Sequence, residues 1–584
     1  MQEVARRRQV GFGWVVVLVG LVYVVGARFS GPELAFWSPD SSIRYVQLVS
    51  LLHQRYEEVA AVYPGAWLDP EARFYPVSKG FAAPRDGKVY LLYPPFFPAL
   101  VAPFFQAAGR AGLVIVPMVA GLVTVWLSWL WLRQFGSGVA QLGGVLVGVG
   151  TPLIVHGVVF WDHSLVTALA TAGLYLLSTG ETSGEWRRLL AGIVLGIGTW
   201  FRNEGYVFAA ALLAASAVAL PRRSVGSLAA GLVCGAAPGW AMNWHLYGHP
   251  LGLKGLAGVE AARARFGGLG GWLWQRALAA YDLLFSTEQF QNALEPLRVA
   301  ESLGFAAVVF AASLLLRAGL RTGNGVSAMF AGAAVALATA WLVTRPDAEV
   351  MGLIPAVPAL GGLAIWRPYT GQERLVGSAA LLYVAAVVAV GSVGGLQWGP
   401  RYLLPAVPAL GWLCCVALAR GWHATDGAMR RAVAVCGALL AVASITVQVR
   451  GLLRVKSQVE TGARVEAILR AVDSPILVTG REALFRVMGY LYFDRVLMSV
   501  EDPQELRALV DVFSRHQVRR WTYIPFSGAA FDARGVERQT AGKPWRFEVV
   551  EDRTPLVFVS ERGGGAELRL ITYEGRAAAP SGAR

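Results

Sequence analysis

Five short constellations in this chain carry side chains able to do chemistry. The first is Ser38-Pro39-Asp40-Ser41-Ser42-Ile43-Arg44. Asp40 and Arg44 are four apart, so a helix places them on one face. A carboxylate there can take the proton of an attacking hydroxyl, the task of a general base. The plainer reading makes Asp40 the cap of a surface helix, paired with Arg44. The second is Phe160-Trp161-Asp162-His163-Ser164, which sets another carboxylate beside an imidazole. Its plainer reading is an interfacial tryptophan and a capping aspartate. The third, Phe201-Arg202-Asn203-Glu204-Gly205, puts opposite charges between two apolar stretches. Such charges are costly unless they pair or line a polar cavity.

The fourth is Gln397-Trp398-Gly399-Pro400-Arg401-Tyr402. An arginine at the end of a span suits a phosphate clamp, or it simply snorkels to the interface. Lys88, Tyr90 and Tyr93, ahead of Pro94 and Pro95, form the fifth group. His245 and His249 are also four apart, with Lys254 beyond them. Gly248 and Pro250 deny them the helix that a zinc pair would use, so no metal is expected. No motif calls for a cofactor.

What must position these groups is a membrane protein. The chain has 584 residues, 55% hydrophobic and 15% charged, where a soluble protein would be about 25% charged. Its apolar residues come in blocks that approach the roughly 20 residues needed to cross a bilayer. The net charge of +14 does not point to nucleic acid, because the arginines sit in short loops between apolar blocks, a pattern that sets membrane orientation. Cys234, Cys414, Cys415 and Cys436 all fall in apolar blocks, so neither a disulfide framework nor a cysteine zinc site is implied.

Placing Arg6–Arg8 in the cytoplasm orders the rest. Gly11–Ala27 reads as an uncleaved first span. A long outer loop, 29–109, follows. Its Tyr93-Pro94-Pro95-Phe96-Phe97-Pro98 run is too proline-rich for a clean crossing, so Leu100–Ala108 reads as interfacial or re-entrant. About thirteen spans result, including Ala111–Leu132, Gly138–Phe160, Ser164–Ser178, Leu189–Trp200, Tyr206–Leu220, Val225–Trp244, Val326–Val343, Leu375–Val393 and Ala432–Val447. Nearly every short inner loop carries two or more arginines. All five constellations fall on the outer side under this one topology.

The expected fold class is thus a polytopic α-helical membrane protein with a small C-terminal α/β domain outside the membrane. Residues 1–450 form the membrane domain and 451–584 the soluble one. In the latter, Pro475–Thr479, Arg520–Ile524, Phe547–Val550, Leu556–Ser560 and Glu567–Thr572 read as strands. Pro503–Arg515 reads as an amphipathic helix capped by Asp502. The expected location is the inner (plasma) membrane, multi-pass, in contact with membrane lipids and without nucleic acid.

The order of these features resembles the GT-C superfamily of membrane glycosyltransferases, in its protein-mannosyltransferase and aminoarabinose-transferase-like branch. The residues that carry the resemblance are Asp40, Tyr93-Pro94-Pro95-Phe96-Phe97-Pro98, Asp162 and Arg401-Tyr402-Leu403-Leu404-Pro405. It runs from about Gly11 to Arg420. The family often shows a second acid beside its first-loop aspartate, whereas Asp40 is followed by Ser41, which loosens the tie to the mannosyltransferases. The resemblance implies an inverting glycosyltransferase. Its donor would be a sugar on a polyprenyl phosphate, and its acceptor a hydroxyl of a glycan, lipid or protein at the outer face. Asp40 would be the general base, with Asp162 and His163 shaping the site. Arg401, Arg202 or Lys88 would stabilise the leaving phosphate. Arg44, Tyr93, Glu204 and Tyr402 complete the expected substrate contacts. The alternative is a transporter or flippase, though no internal repeat of the kind such proteins show is visible.

Overall fold

The computed structural model describes the chain except residues 1, 78–79, 179–183, 254–267, 289–293, 346–347, 366, 368–369, 391–396, 482–483, 527–530, 560–564 and 578–584. Lys254, the last three positions of the expected span Leu375–Val393, and Ser560 therefore lie outside the described residues.

In chain order the first half runs α1 (Gln2–Ser30), α2 (Pro39–His53), β1 (Ala82–Arg85), β2 (Lys88–Leu91), α3 (Phe96–Ala108), α4 (Ile115–Leu132), α5 (Ser137–Val149), α6 (Leu153–Val158), α7 (His163–Ser178), α8 (Glu185–Gly198), α9 (Asn203–Ala219) and α10 (Arg222–Tyr247). Long helices follow at Pro296–Thr322, Gly325–Thr344, Gly371–Val390, Val407–His423 and Gly427–Arg470. Among the described residues, seven helical runs are long and apolar enough to cross a membrane, and four shorter apolar helices accompany them. The protein is multi-pass, and the expected count of thirteen is matched only in part.

The expected spans differ from the helices where glycine and proline intervene. Gly138–Phe160 is two helices, α5 and α6, broken at Gly150-Thr151-Pro152. Proline cannot donate the backbone bond a continuous helix needs there, and its ring clashes with the preceding turn. The apolar stretch after Val350 becomes the short helix Leu353–Ala356 and the 3₁₀ turn Pro358–Ile365. A further helix, Gly268–Leu284, lies between α10 and Pro296–Thr322.

The chain divides into two compact units. A helical unit comprises 1–30 and 114–455, and a mixed unit comprises 31–113 and 456–584. The loop 29–109, assigned from the sequence to the membrane portion, thus packs almost entirely with the C-terminal segment. The reason is a shared apolar core. Ile43, Val46, Val89, Leu91 and Tyr93 from the loop bury with Val465, Leu469, Leu477, Phe485, Met488 and Leu491 from the tail. Each face alone would leave that apolar surface in water, at roughly 25 cal/mol per Å².

The helical unit is built on close helix approaches. Gly192 and Gly196 of α8 face Gly231 and Gly235 of α10, where any Cβ would strike the opposite backbone. Small residues let helix backbones pack this tightly where water supplies no driving force.

In the mixed unit, a five-stranded sheet has the order β4-β3-β5-β9-β6, with β3 Ile476–Thr479, β4 Val496–Ser499, β5 Arg520–Ile524, β6 Trp545–Arg553 and β9 Leu570–Ala577. β4, β3 and β5 are parallel, while β9 runs antiparallel to both β5 and β6. A separate pair, β7 (Leu556–Val559) and β8 (Gly565–Glu567), is antiparallel. The helix Pro503–Arg515 starts where expected. Asp502 caps it, accepting from the amides of Gln504 at 2.7 Å and Glu505 at 2.8 Å. Its Leu506, Leu509, Val510 and Phe513 bury against Trp521 and Tyr573. β4 has no counterpart in the sequence reading.

Trp521 is the largest buried side chain of this second core, stacked on Tyr573 with ring centroids 4.5 Å apart. Trp521→Ala should therefore cost about 3–5 kcal/mol. Hydrogen exchange should report this as lost protection across β3, β5 and β9. Unchanged protection would mean the sheet does not depend on that ring.

Candidate functional site

The helical unit gathers three of the sequence-flagged segments. Asp162 lies just ahead of α7, which begins at His163. Arg202 is the residue before α9, in extended conformation, and Glu204 is in that helix's first turn. Arg202 is the hub. Its Nη1 donates to Asp162 Oδ1 at 2.8 Å, its Nη2 to Glu204 Oε1 at 2.7 Å and its Nε to Glu204 Oε2 at 3.1 Å. Arg202 and Asp162 are nearly inaccessible, 4% and 2% exposed, and Glu204 is partly buried at 13%. A guanidinium fits two carboxylates this way because its five donors form a planar fork. One cation between two carboxylates leaves the group net negative, so Arg202 is already committed to holding acids together.

Around this triad stand the aromatic and imidazole rings. His163 lies 5.2 Å from Trp161 and 5.1 Å from His156, centroid to centroid. His156 is stacked on Trp161 at 5.4 Å. Arg401 begins the 3₁₀ turn Arg401–Ala406, and its Nη2 donates to the Tyr402 hydroxyl at 3.0 Å. Its guanidinium sits 5.2 Å from the Trp161 ring centre and 4.9 Å from that of Tyr402. Tyr383 donates to the Tyr402 carbonyl at 2.6 Å and so fixes the turn. Asp162, His163, Arg202, Glu204, Arg401 and Tyr402 are thus brought into one polar region of this unit. The sequence reading missed His156. The available signal was an imidazole inside the apolar run Leu153–Val158, where ionisable groups are costly and tend to be functional.

The mixed unit holds the remaining residues. Ser38, not Asp40, is the N-cap of α2, accepting from the Ser41 amide at 3.4 Å. That corrects the plainer reading of Asp40 as a cap on a surface helix. Eleven of the fifteen residues of α2 are buried, Asp40 and Arg44 among them. Asp40 sits in the first turn, where the exposed amides of a helix favour negative charge. Arg44 Nη1 donates to the Asp40 backbone carbonyl at 3.3 Å. Its guanidinium lies 4.0 Å over the Tyr93 ring. Gln47, a residue not flagged from the sequence, donates through Nε2 to the Tyr93 carbonyl at 2.7 Å. Asp40, Arg44 and Tyr93 therefore belong to one local arrangement. Lys88 does not join it. It stands on β2, half-exposed, with its ammonium 2.6 Å from Glu58.

His249 accepts through Nδ1 from the Leu251 amide at 3.2 Å, an ordinary turn contact. Among the described residues no group of three His, Cys, Asp or Glu side chains is placed to hold a metal ion.

Residues 92–244 match the family model described as dolichyl-phosphate-mannose-protein mannosyltransferase. That segment contains Tyr93, Asp162, Arg202 and Glu204. The fold is similar to ArnT from Cupriavidus metallidurans bound to undecaprenyl phosphate, with a TM-score of 0.53 at 13% identity, over 96% of this chain and 98% of that one. The apo state of the same protein gives 0.51 at 12% identity with the same coverage. No curated protein matches the sequence. The resemblance to the GT-C glycosyltransferases carried by the short motifs thus recurs in the family model and in the fold.

Removing the hub should be worse than removing one spoke. Arg202→Gln removes the cation that Asp162 and Glu204 share and should cost about 3–5 kcal/mol. Asp162→Asn keeps the Arg202–Glu204 pair and should cost clearly less. Thermal unfolding in detergent measures both, and equal losses would refute the hub.

Proposed function

We propose that this chain, which has the GT-C fold, is an inverting glycosyltransferase. It moves a sugar from a polyprenyl-phosphate donor to a hydroxyl acceptor at the outer face of the membrane. The observation that carries the reading is the end-to-end fold likeness to ArnT, a protein solved with undecaprenyl phosphate bound. The family-model match over 92–244 supports the same donor class.

In this reading Asp40 is the general base. It removes the proton of the acceptor hydroxyl as that oxygen attacks the anomeric carbon. The bond from the anomeric carbon to the phosphate oxygen breaks, and polyprenyl phosphate leaves with the electron pair, inverting the centre. A phosphate is a good leaving group, so no second acid is required. Burial in the first turn of α2 suits Asp40 to this task, because the helix holds the carboxylate in one direction. Arg44 and Tyr93 position it.

Arg401, steadied by Trp161 and Tyr402, is assigned to the leaving phosphate. Arg202 holds Asp162 and Glu204 in place, and with His163 these shape the sugar or acceptor site. Lys88, paired with Glu58, is not assigned a role. The C-terminal segment and the Asp40 helix share one side of the membrane in this reading, and the protein resides in the inner (plasma) membrane.

Protein in lipid nanodiscs, offered a panel of polyprenyl-phosphate sugars, should release polyprenyl phosphate. Asp40→Asn should lower that release by about 10²-fold or more. Equal release by both proteins would move the base to another residue. No release from any donor, together with movement of lipid-linked sugar between leaflets, would favour transport instead.

A further inference from the structure

The residues on either side of Asp40 are held by the C-terminal tail as well as by their own neighbours in sequence. Ahead of it, Trp37 donates through Nε1 to Gln458 Oε1 at 2.6 Å. A Cβ on Gly462 would lie 3.1 Å from the Ala35 Cβ and 3.0 Å from Val487 Cγ1, so the three segments meet tightly there. Behind Asp40, Ser42 Oγ donates to the Phe485 carbonyl at 2.8 Å. Tyr490 stacks on Phe36 at 4.3 Å and meets Tyr45 edge-on at 4.7 Å. Its hydroxyl donates to the Pro32 carbonyl. Arg110 lies 3.5 Å over the same ring and reaches Glu466 at 3.3 Å.

Gly489 is the closest of these contacts. Its backbone is ordinary helix (φ −56, ψ −37), which any residue adopts. What requires glycine is space, since a Cβ would fall 1.9 Å from Ser42 Oγ and 3.1 Å from Ser42 Cβ. Two of the contacts in this set are therefore close glycine-to-side-chain contacts, and both flank the carboxylate. Close packing of this kind transmits displacement instead of absorbing it.

We infer that the tail segment Gln458–Tyr490 is a positioning clamp for the Asp40 helix, with Gly489 and Tyr490 as its positioning residues. The inference rests on the role proposed for Asp40. It gives the C-terminal segment a part in the reaction, acting through the direction of α2 without touching substrate. A base displaced by a fraction of an ångström loses its line to the hydroxyl, and a misplacement near 1 Å can cost about 10²-fold.

Gly489→Ala tests the clamp. It should lower kcat for polyprenyl-phosphate release by roughly tenfold or more, with KM changed by less than about twofold. Amide exchange in Pro39–His53 should quicken. Ser42→Ala alone, which removes the hydrogen bond to the Phe485 carbonyl without adding bulk, should quicken the same exchange and lower kcat by a smaller factor. Asp502→Ala is the control. It loosens the tail by a helix cap, at about 1 kcal/mol, and should leave kcat and exchange in α2 unchanged. The clamp is overturned if Gly489→Ala alters neither readout, or if Asp502→Ala matches its loss. If the unsubstituted protein releases no polyprenyl phosphate, the glycosyltransferase reading fails, and exchange in α2 alone decides the clamp.

Discussion

Everything proposed for Asp40 depends on one apolar core assembled from two distant stretches of chain. Ser42 and Phe485 are 443 positions apart, yet they share a hydrogen bond inside it. At fifteen residues α2 is only at the margin of holding its own shape, since isolated helices below about 12–15 residues are marginal in water. It becomes rigid because its apolar face is buried against Leu477, Phe485, Met488 and Leu491. A carboxylate meant to act as a base gains more from that rigidity than from any single neighbour.

The helical unit meets a different constraint. Charges taken out of water must find partners, because the desolvation cost of an unpaired ion is several kcal/mol. Arg202 satisfies this by binding two acids, and its geometry turns three separate loop residues into a fixed framework. Arg345 does the same elsewhere in that unit, bridging Glu288 at 2.7 Å and Glu301 at 2.6 Å. Glu373 and Arg420 form another such pair. Arginine's fork recurs at each buried junction, so a share of the chain's basic excess is internal scaffolding.

The sequence exposed periodic features well and assembled ones poorly. The helix Pro503–Arg515, its Asp502 cap and the strand Arg520–Ile524 are local, and their residues fix them without help from elsewhere. The triad of Asp162, Arg202 and Glu204 was visible as three residues but not as one group, because nothing in local spacing joins position 162 to 202. His156 hid in an apolar run. β4 went unseen because Val496–Ser499 is short and takes its partners from β3. The break at Thr151-Pro152 is plain once proline is weighed above hydropathy. The largest gap was the loop 29–109. Its partnership with the tail is written in complementary apolar faces, and a linear reading has no means of matching them.

That partnership also sets an order of events during synthesis. The mixed unit is interrupted by residues 114–455 of the helical unit, so its first part emerges long before its second. α2, with its apolar face and its aspartate, waits without a core until the last strands leave the ribosome. Contacts of such sequence separation form slowly and leave sticky surfaces exposed meanwhile. A chain arrested between Arg470 and Phe485 would carry every candidate span of the described residues and still present α2 without Phe485, Met488 and Leu491 to bury its apolar face. The helix that carries Asp40 is thus made early and packed late.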